Sequence, residues 1–325
     1  MSSQKQKTRR NVFELLLSEK ICLLLWMLCL ACASLSLGSK HPIIATGCES
    51  EIDGEEPLYN LHSLEFSQNG RKFSATVMIP KDLPAKPTLL HYFHAAGSDE
   101  KRISTSRLGK NLIRHWEESG QGLPIIASLS LSRFWLVGAR PRTLIGNQRQ
   151  LEVRDLEIAL LYLEHEIQKL TNKHNFSRRL SLGTSMGAFN SFQLLLDSPD
   201  FFDRSAFIAL PTFAEHPGIL NPLNYEHMHD TVNQAGHSNP LKKFLHLMGL
   251  FLFKNSVRYA YPTQIEWELR NPLNLILTGA HAYREALPPI YLSTGKKDGF
   301  GYFPANQALV TELYSAGFKL SLIHI

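Results

Sequence analysis

The stretch "LSLGTSMGAFNSF", which begins at Leu180, constrains the fold more than any other part of the chain. An apolar run precedes Gly183-Thr184-Ser185-Met186-Gly187 and a helical run follows, so these five residues must turn a strand sharply into a helix. A serine on such a turn sits in strained backbone, and glycine on either side keeps side chains from colliding with neighbouring chain. The turn raises the hydroxyl at the strand's end and aims the helix N-terminus at an oxygen reacting there. A bare Gly-x-Ser-x-Gly match carries little weight. Between a strand and a helix it marks Ser185 as a candidate nucleophile.

The rest of the chain supplies the sheet such a turn needs. "HSLEFS" and "RKFSATVMIP" flank Asn69-Gly70, the strongest short hairpin signal. "PTLLHYFH" (87–94) and "LPIIASLS" (123–130) are short apolar runs suited to buried parallel strands, with a helical pattern over 103–118 between them. An amphipathic helix is predicted over 151–173. Strand "RRLSLG", helix "MGAFNSFQLLLDS" and strand "SAFIALP" follow, and near the end come strand "PPIYLSTG", helix "FPANQALVTELYSAG" and strand "FKLSLIHI". This alternation predicts an α/β fold with a mostly parallel, doubly wound sheet. Residues 212–287 break the rhythm with three Asn-Pro-Leu tripeptides and the apolar "LKKFLHLMGLFLF". They are read as a helical insertion, either a lid over the sheet's C-terminal edge or ordinary core.

The N-terminus reads as a targeting segment. Its first twenty residues carry a net charge of +3, and an apolar run with the small-residue site Ala31-Cys32-Ala33 follows. That is the pattern of a secretory signal peptide, so residues 1–33 are expected to direct export to the periplasm or beyond and to be removed. The alternative is a membrane anchor over 21–36, although the apolar run is short of the roughly 20 residues that a span requires. Residues 34–56 read as a linker and 57–325 as the folded domain. Three of the four cysteines lie in the leader, so Cys48 alone would remain and no intrachain disulfide could form. Outside the first twenty residues the net charge is only +2, with basic residues scattered, which gives no footprint for nucleic acid.

A tetrahedral intermediate on Ser185 needs two donors for its oxyanion. One is the Met186 N–H; the other is expected from the loop His94-Ala95-Ala96-Gly97, through Ala95 or Ala96. His94 reads as a loop-ordering residue. Asp298, in the Gly-rich turn after "PPIYLST", is the candidate acid, against the plainer reading of a turn aspartate. "YEHMHD", with His227 and His229 between Glu226 and Asp230, lacks the further spaced pair of a metal site and reads as a polar segment. Trp135 is a candidate pocket or core residue.

The "HAAG" loop, "GTSMGAFNSF" running into "SPDFFD", and "GKKDGF" followed by "ANQALVTELYSAGFK" together resemble the α/β-hydrolases. Within them, the likeness is to the esterase D, feruloyl esterase and polyhydroxyalkanoate-depolymerase-like group of secreted serine esterases, over roughly residues 60–319. Two positions depart from that group, Ala95 and Ala188, where glycine is usual, and neither alters a backbone donor. The resemblance implies hydrolysis of a small or polymeric carboxylic ester without metal or organic cofactor. Acyl transfer, peptide hydrolysis and non-catalytic binding on the same fold stay open. It also implies the order Ser, Asp, His in the chain. His324 alone follows Asp298. The terminal string "LSLIHI" resembles one reading frame of a sequencing-library adaptor. Residues 320–325 are therefore expected to be non-native, with the last strand cut short and the native histidine beyond it.

Overall fold

The computed structural model describes residues 58–68, 71–130, 153–212, 240–241, 243–244, 247, 257–258, 260–295, 302–318 and 320–324. All belong to the compact unit Cys48–Ile325. The leader, the linker, Trp135, His227, His229 and Asp298 lie outside the described residues, as does most of 213–256. Among the described residues no helix is long and apolar enough to cross a membrane.

Among the described residues eight strands form one sheet: β1 (Tyr59–Gln68), β2 (Arg71–Pro80), β3 (Thr88–Phe93), β4 (Ile125–Leu129), β5 (Arg178–Thr184), β6 (Arg204–Ile208), β7 (Ile290–Thr294) and β8 (Leu320–His324). Their order is β1-β2-β4-β3-β5-β6-β7-β8. The first two pairings are antiparallel and the rest parallel, so the expected mostly parallel sheet is the one the chain builds. In the hairpin Gln68 pairs directly with Arg71, leaving Asn69-Gly70 as the two-residue connection. Between strands run α1 (Arg102–Thr105), α2 (Arg107–Glu118), α3 (Val153–Thr171), α4 (Met186–Asp197), α5 (Gln264–Glu268), α6 (Pro272–Ala286) and α7 (Tyr302–Ser315). The helix predicted over 103–118 is two helices. Ser106 takes an extended conformation between them, and its Oγ accepts the Gly109 N–H at 3.1 Å to start α2 afresh.

Strand alternation divides the core between the two sheet faces. Leu89 and Phe93 of β3, Ile125 and Ala127 of β4, Phe207 of β6 and Leu292 of β7 join the main core with residues of α3, α4 and α7. The intervening Leu90, Tyr92, Ile126 and Leu182 form a thinner cluster packed by Leu112, Ile113 and Trp116 of α2. Over β5–β7 that second face carries a groove lined by Leu90, Trp116, Leu182, Tyr291 and Phe318. Helix α4 is buried on every side from Met186 to Leu196, the signature of a helix enclosed by other elements.

Of the described residues of the insertion, Val257, Tyr261, Trp267 and Ile276 pack into the main core, whereas Leu241 and Phe244 are exposed. Trp267 stacks on Phe189 of α4 (centroids 5.6 Å, 9°), and Tyr261 meets both rings edge-on. Arg270 Nη1 donates to the Asp197 carboxylate at 2.8 Å. Asn271 Oδ1 accepts the Leu273 N–H at 3.3 Å and Pro272 opens α6, which accounts physically for the third Asn-Pro-Leu tripeptide.

Among the described residues one charged group sits inside this core. Glu164 of α3, 3% exposed, accepts from His91 Nε2 at 3.0 Å and from Arg179 Nε at 3.0 Å. Burial alone would raise its carboxyl, but the hydrogen bonds and charges of His91 and Arg179 outweigh burial and hold it below the ordinary range. A carboxylate lowered on folding contributes stability that is fully present above its unfolded pKa, near 4.3, and is lost as pH falls through the folded value. Glu164→Gln is therefore expected to cost about 1–3 kcal/mol in urea titrations at pH 7. The gap to wild type should narrow steadily below about pH 4. A gap independent of pH would refute the charged state. Trp267→Ala should cost about 3–5 kcal/mol by the same measurement.

Candidate active site

β5 ends at Thr184 and α4 begins at Met186, leaving Ser185 alone at the turn with φ 52° and ψ −115°. Few non-glycine residues adopt a positive φ, and the cost of doing so is about 1–3 kcal/mol. The conformation is held from both sides. The Ser185 N–H donates to the Ile208 carbonyl on β6 at 2.8 Å, and the Ser185 carbonyl accepts the first α4 bond, from Phe189, at 3.0 Å.

Both glycines of the motif are required by space. A Cβ at Gly183 would stand 2.5 Å from Ala188 Cα and 2.6 Å from Ser191 Oγ, inside the first turns of α4. At Gly187 it would stand 2.1 Å from the Phe93 carbonyl oxygen and 2.6 Å from that of His94. This second approach seats the first turn of α4 against the end of β3 and the start of the 94–97 loop. The Met186 amide, unpaired within its own helix like any first-turn N–H, thus shares an edge with that loop. His94 is fully buried and donates from Nδ1 to the Ala95 carbonyl at 3.0 Å, and Ser98 N–H donates to the same carbonyl at 3.2 Å. These bonds, with Gly97 at φ 74°, close the loop into a tight turn in which Ala95 is half-buried and Ala96 exposed. His94 has the loop-ordering contact expected of it.

Strand register places the remaining candidates. Thr184, Ile208, Ser293 and Ile323 share one rung across β5, β6, β7 and β8. One step further along lie Ser185, Ala209 and Thr294, with His324 paired to Thr294. The backbone of His324 is therefore three strands from that of Ser185, roughly 14 Å at about 4.8 Å per strand. The pairing does not bring these two residues together. Asp298 lies outside the described residues, four positions beyond Thr294 in the chain. Ala209 carries a second positive φ, 53°, directly beside the serine turn, and its N–H donates to the Ser293 carbonyl at 2.8 Å. Alanine gives no local signal for that conformation, so sequence reasoning passes over it. Among the described residues no group of three His, Cys, Asp or Glu side chains gathers as metal ligands.

Neither a protein-family profile nor a curated protein sequence matches the chain. Solved structures do. A brefeldin A esterase, described as a bacterial homologue of human hormone sensitive lipase, has 15% identity and a TM-score of 0.55, over 87% of this chain and 71% of its own. Carboxyl esterase 2 from the mycorrhizal fungus Tuber melanosporum has 13% identity and a TM-score of 0.57, over 90% and 85%. A ferulic acid esterase has 11% identity and a TM-score of 0.54, over 82% and 89%. Similarity at these identities is one of fold, and the chain has the α/β-hydrolase fold.

The turn makes opposite demands on two of its residues. Ser185→Gly removes the penalty for positive φ while Ser185→Ala keeps it, so the glycine variant should be the more stable by about 1–2 kcal/mol in chemical denaturation. Gly187→Ala must push backbone against backbone and is expected to cost about 3 kcal/mol or more. Equal stability of the two Ser185 variants would mean that the backbone is relaxed.

Proposed function

We propose that the protein is a serine ester hydrolase that acts outside the cytoplasm through an acyl-enzyme on Ser185. The observation that carries this reading is the strained Ser185 backbone, walled by two glycines whose replacement would strike α4 on one side and β3 on the other. Structure of this kind costs stability and serves no packing need of a serine.

In the proposed reaction Ser185 Oγ bonds to the ester carbonyl carbon while its proton passes to a histidine oriented by Asp298. Negative charge moves to the carbonyl oxygen, where the Met186 N–H and an amide of Ala95 or Ala96 donate to it. Collapse of the intermediate breaks the bond to the alcohol oxygen, which takes the proton. Water then repeats both steps on the acyl-enzyme and releases the acid. In chain order the histidine is His324, whose strand position separates it from Ser185, so the base is tested apart from the nucleophile. The esterase names of the structural neighbours support an ester as substrate, small or polymeric. The basic, apolar and small-residue order of the leader supports export.

A fluorophosphonate probe is expected to label the protein, and p-nitrophenyl acetate to be hydrolysed, with both activities lost in Ser185→Ala. A folded protein that neither reacts with the probe nor turns over the ester would instead be a binding protein on this fold. His324→Ala assigns the base. A fall of about 100-fold or more makes His324 the proton carrier, whereas a rate within about threefold assigns the proton to another group.

A further inference from the structure

Beside the serine turn stands a second strained residue that no packing need explains. Ala209 has φ 53°, a conformation that glycine adopts freely and alanine does not. Its methyl belongs to neither apolar cluster of the described residues. The residue is half-buried, whereas Leu210 and Thr212 just beyond it are fully enclosed.

The backbone is held in this state on every side. The peptide unit that joins Ile208 to Ala209 accepts the Ser185 N–H at its carbonyl and donates its own N–H to the Ser293 carbonyl, both at 2.8 Å. Past Ala209, Leu210 enters the main core, and Thr212 Oγ1 donates to Asn306 Oδ1 at 3.1 Å. Asn306, on α7, in turn donates from Nδ2 to Thr294 Oγ1 at 2.6 Å. The peptide that bonds to Ser185 thus also carries the Ala209 Cα, which puts that atom about 5 Å from the Ser185 nitrogen. Glycine would fit the same backbone without strain, yet the chain carries a methyl there.

The position of that methyl matters for an ester on Ser185. In the sheet, β5 lies between β3 and β6. The oxyanion donors of the proposed reaction, the Met186 N–H and an amide of Ala95 or Ala96, are on the β3 side, because the first turn of α4 abuts Phe93 and His94. A carbon bonded to Ser185 Oγ carries three other groups: the oxygen, the acyl chain and the alkoxy group. With the oxygen drawn toward β3, tetrahedral geometry directs at least one of the other two toward β6. On that side Ala209 is next to Ser185 in register and keeps accessible surface, whereas Ser293 and Thr294 of β7 are buried.

We infer that Ala209 is a specificity-determining residue, whose methyl limits the size of the ester substituent that faces away from the oxyanion donors. The inference rests on the reading of Ser185 as the nucleophile of an ester hydrolase.

The test uses two variants of the full chain that both suit a positive φ: Ala209→Gly, which removes the methyl, and Ala209→Asn, which adds bulk. Two substrate pairs separate the acyl side from the alkoxy side. One is p-nitrophenyl acetate with p-nitrophenyl hexanoate, and the other is methyl acetate with hexyl acetate. In one pair the long-over-short ratio of kcat/KM should fall about tenfold or more in Ala209→Asn and rise about threefold or more in Ala209→Gly, the scale of steric discrimination in an apolar site. The pair that responds names the substituent. Melting temperatures should stay within about 5 °C of the wild type. A distorted turn would instead lower all four rates by a common factor. Ratios within about twofold of the wild type, in both pairs and both variants, therefore overturn the inference and leave the hydrolase reading standing. Glycine adds no atom, so that variant decides alone if asparagine prevents folding. A wild type that hydrolyses none of the four esters overturns the hydrolase reading, and this inference falls with it.

Discussion

Much of this structure follows from one steric condition, the close approach of the first turn of α4 to the carbonyls of Phe93 and His94. A helix axis normally stands about 10 Å from a sheet, the distance that two layers of side chains require. Glycine at 183 and 187 removes those layers locally and lets helix backbone meet strand backbone. The chain between them is then too short to turn in a relaxed conformation, and Ser185 takes the positive φ that results. The rest of α4 is enclosed by β3, β5, β6, α3 and α6, so no movement of the helix can relieve the strain. Strain persists where surroundings over-determine it, and here they do.

How much of this was legible beforehand depends on the range of the interaction. Strands, their parallel pairing and the elbow are local patterns of apolar residues and glycine, and the sequence reading of them agrees with the structure. The break at Ser106 was missed because its hydroxyl competes with the helix in a way that apolar periodicity does not register. Ala209 was missed for a different reason. Its backbone is set by β5 on one side and β7 on the other, and alanine leaves no mark of a conformation imposed from outside. The Thr212–Asn306–Thr294 cluster joins residues up to 94 positions apart, and each of the three is an ordinary helix, strand-end or loop residue when taken alone. Glu164 looked like any charge on an amphipathic helix until β3 and β5 brought His91 and Arg179 beneath it.

The two buried polar clusters differ in kind. Glu164 is charged, lies within the sheet's span, and is compensated by a cation and an imidazole N–H. Such a group is costly to bury and contributes chiefly by excluding arrangements in which it would be unpaired. The Asn306 cluster is neutral, lies at the strand ends, and joins α7 to the end of β7 and to the chain just beyond β6.

The polarity of a parallel sheet explains why these features share one edge. Strands β3, β5, β6 and β7 run the same way, so their C-terminal ends open together, and α4 starts there with its unpaired amides facing out. An anion at that edge meets the positive end of the helix and finds no competing intrahelical acceptor. The opposite edge holds strand N-termini, where helices finish and carbonyls are exposed. Negative charge is therefore favoured beside Ser185 and disfavoured at the other end of the same strand. To this direction, set by topology, the elbow adds the absence of side chains at Gly183 and Gly187, which lets the first turn of α4 close on the end of β3.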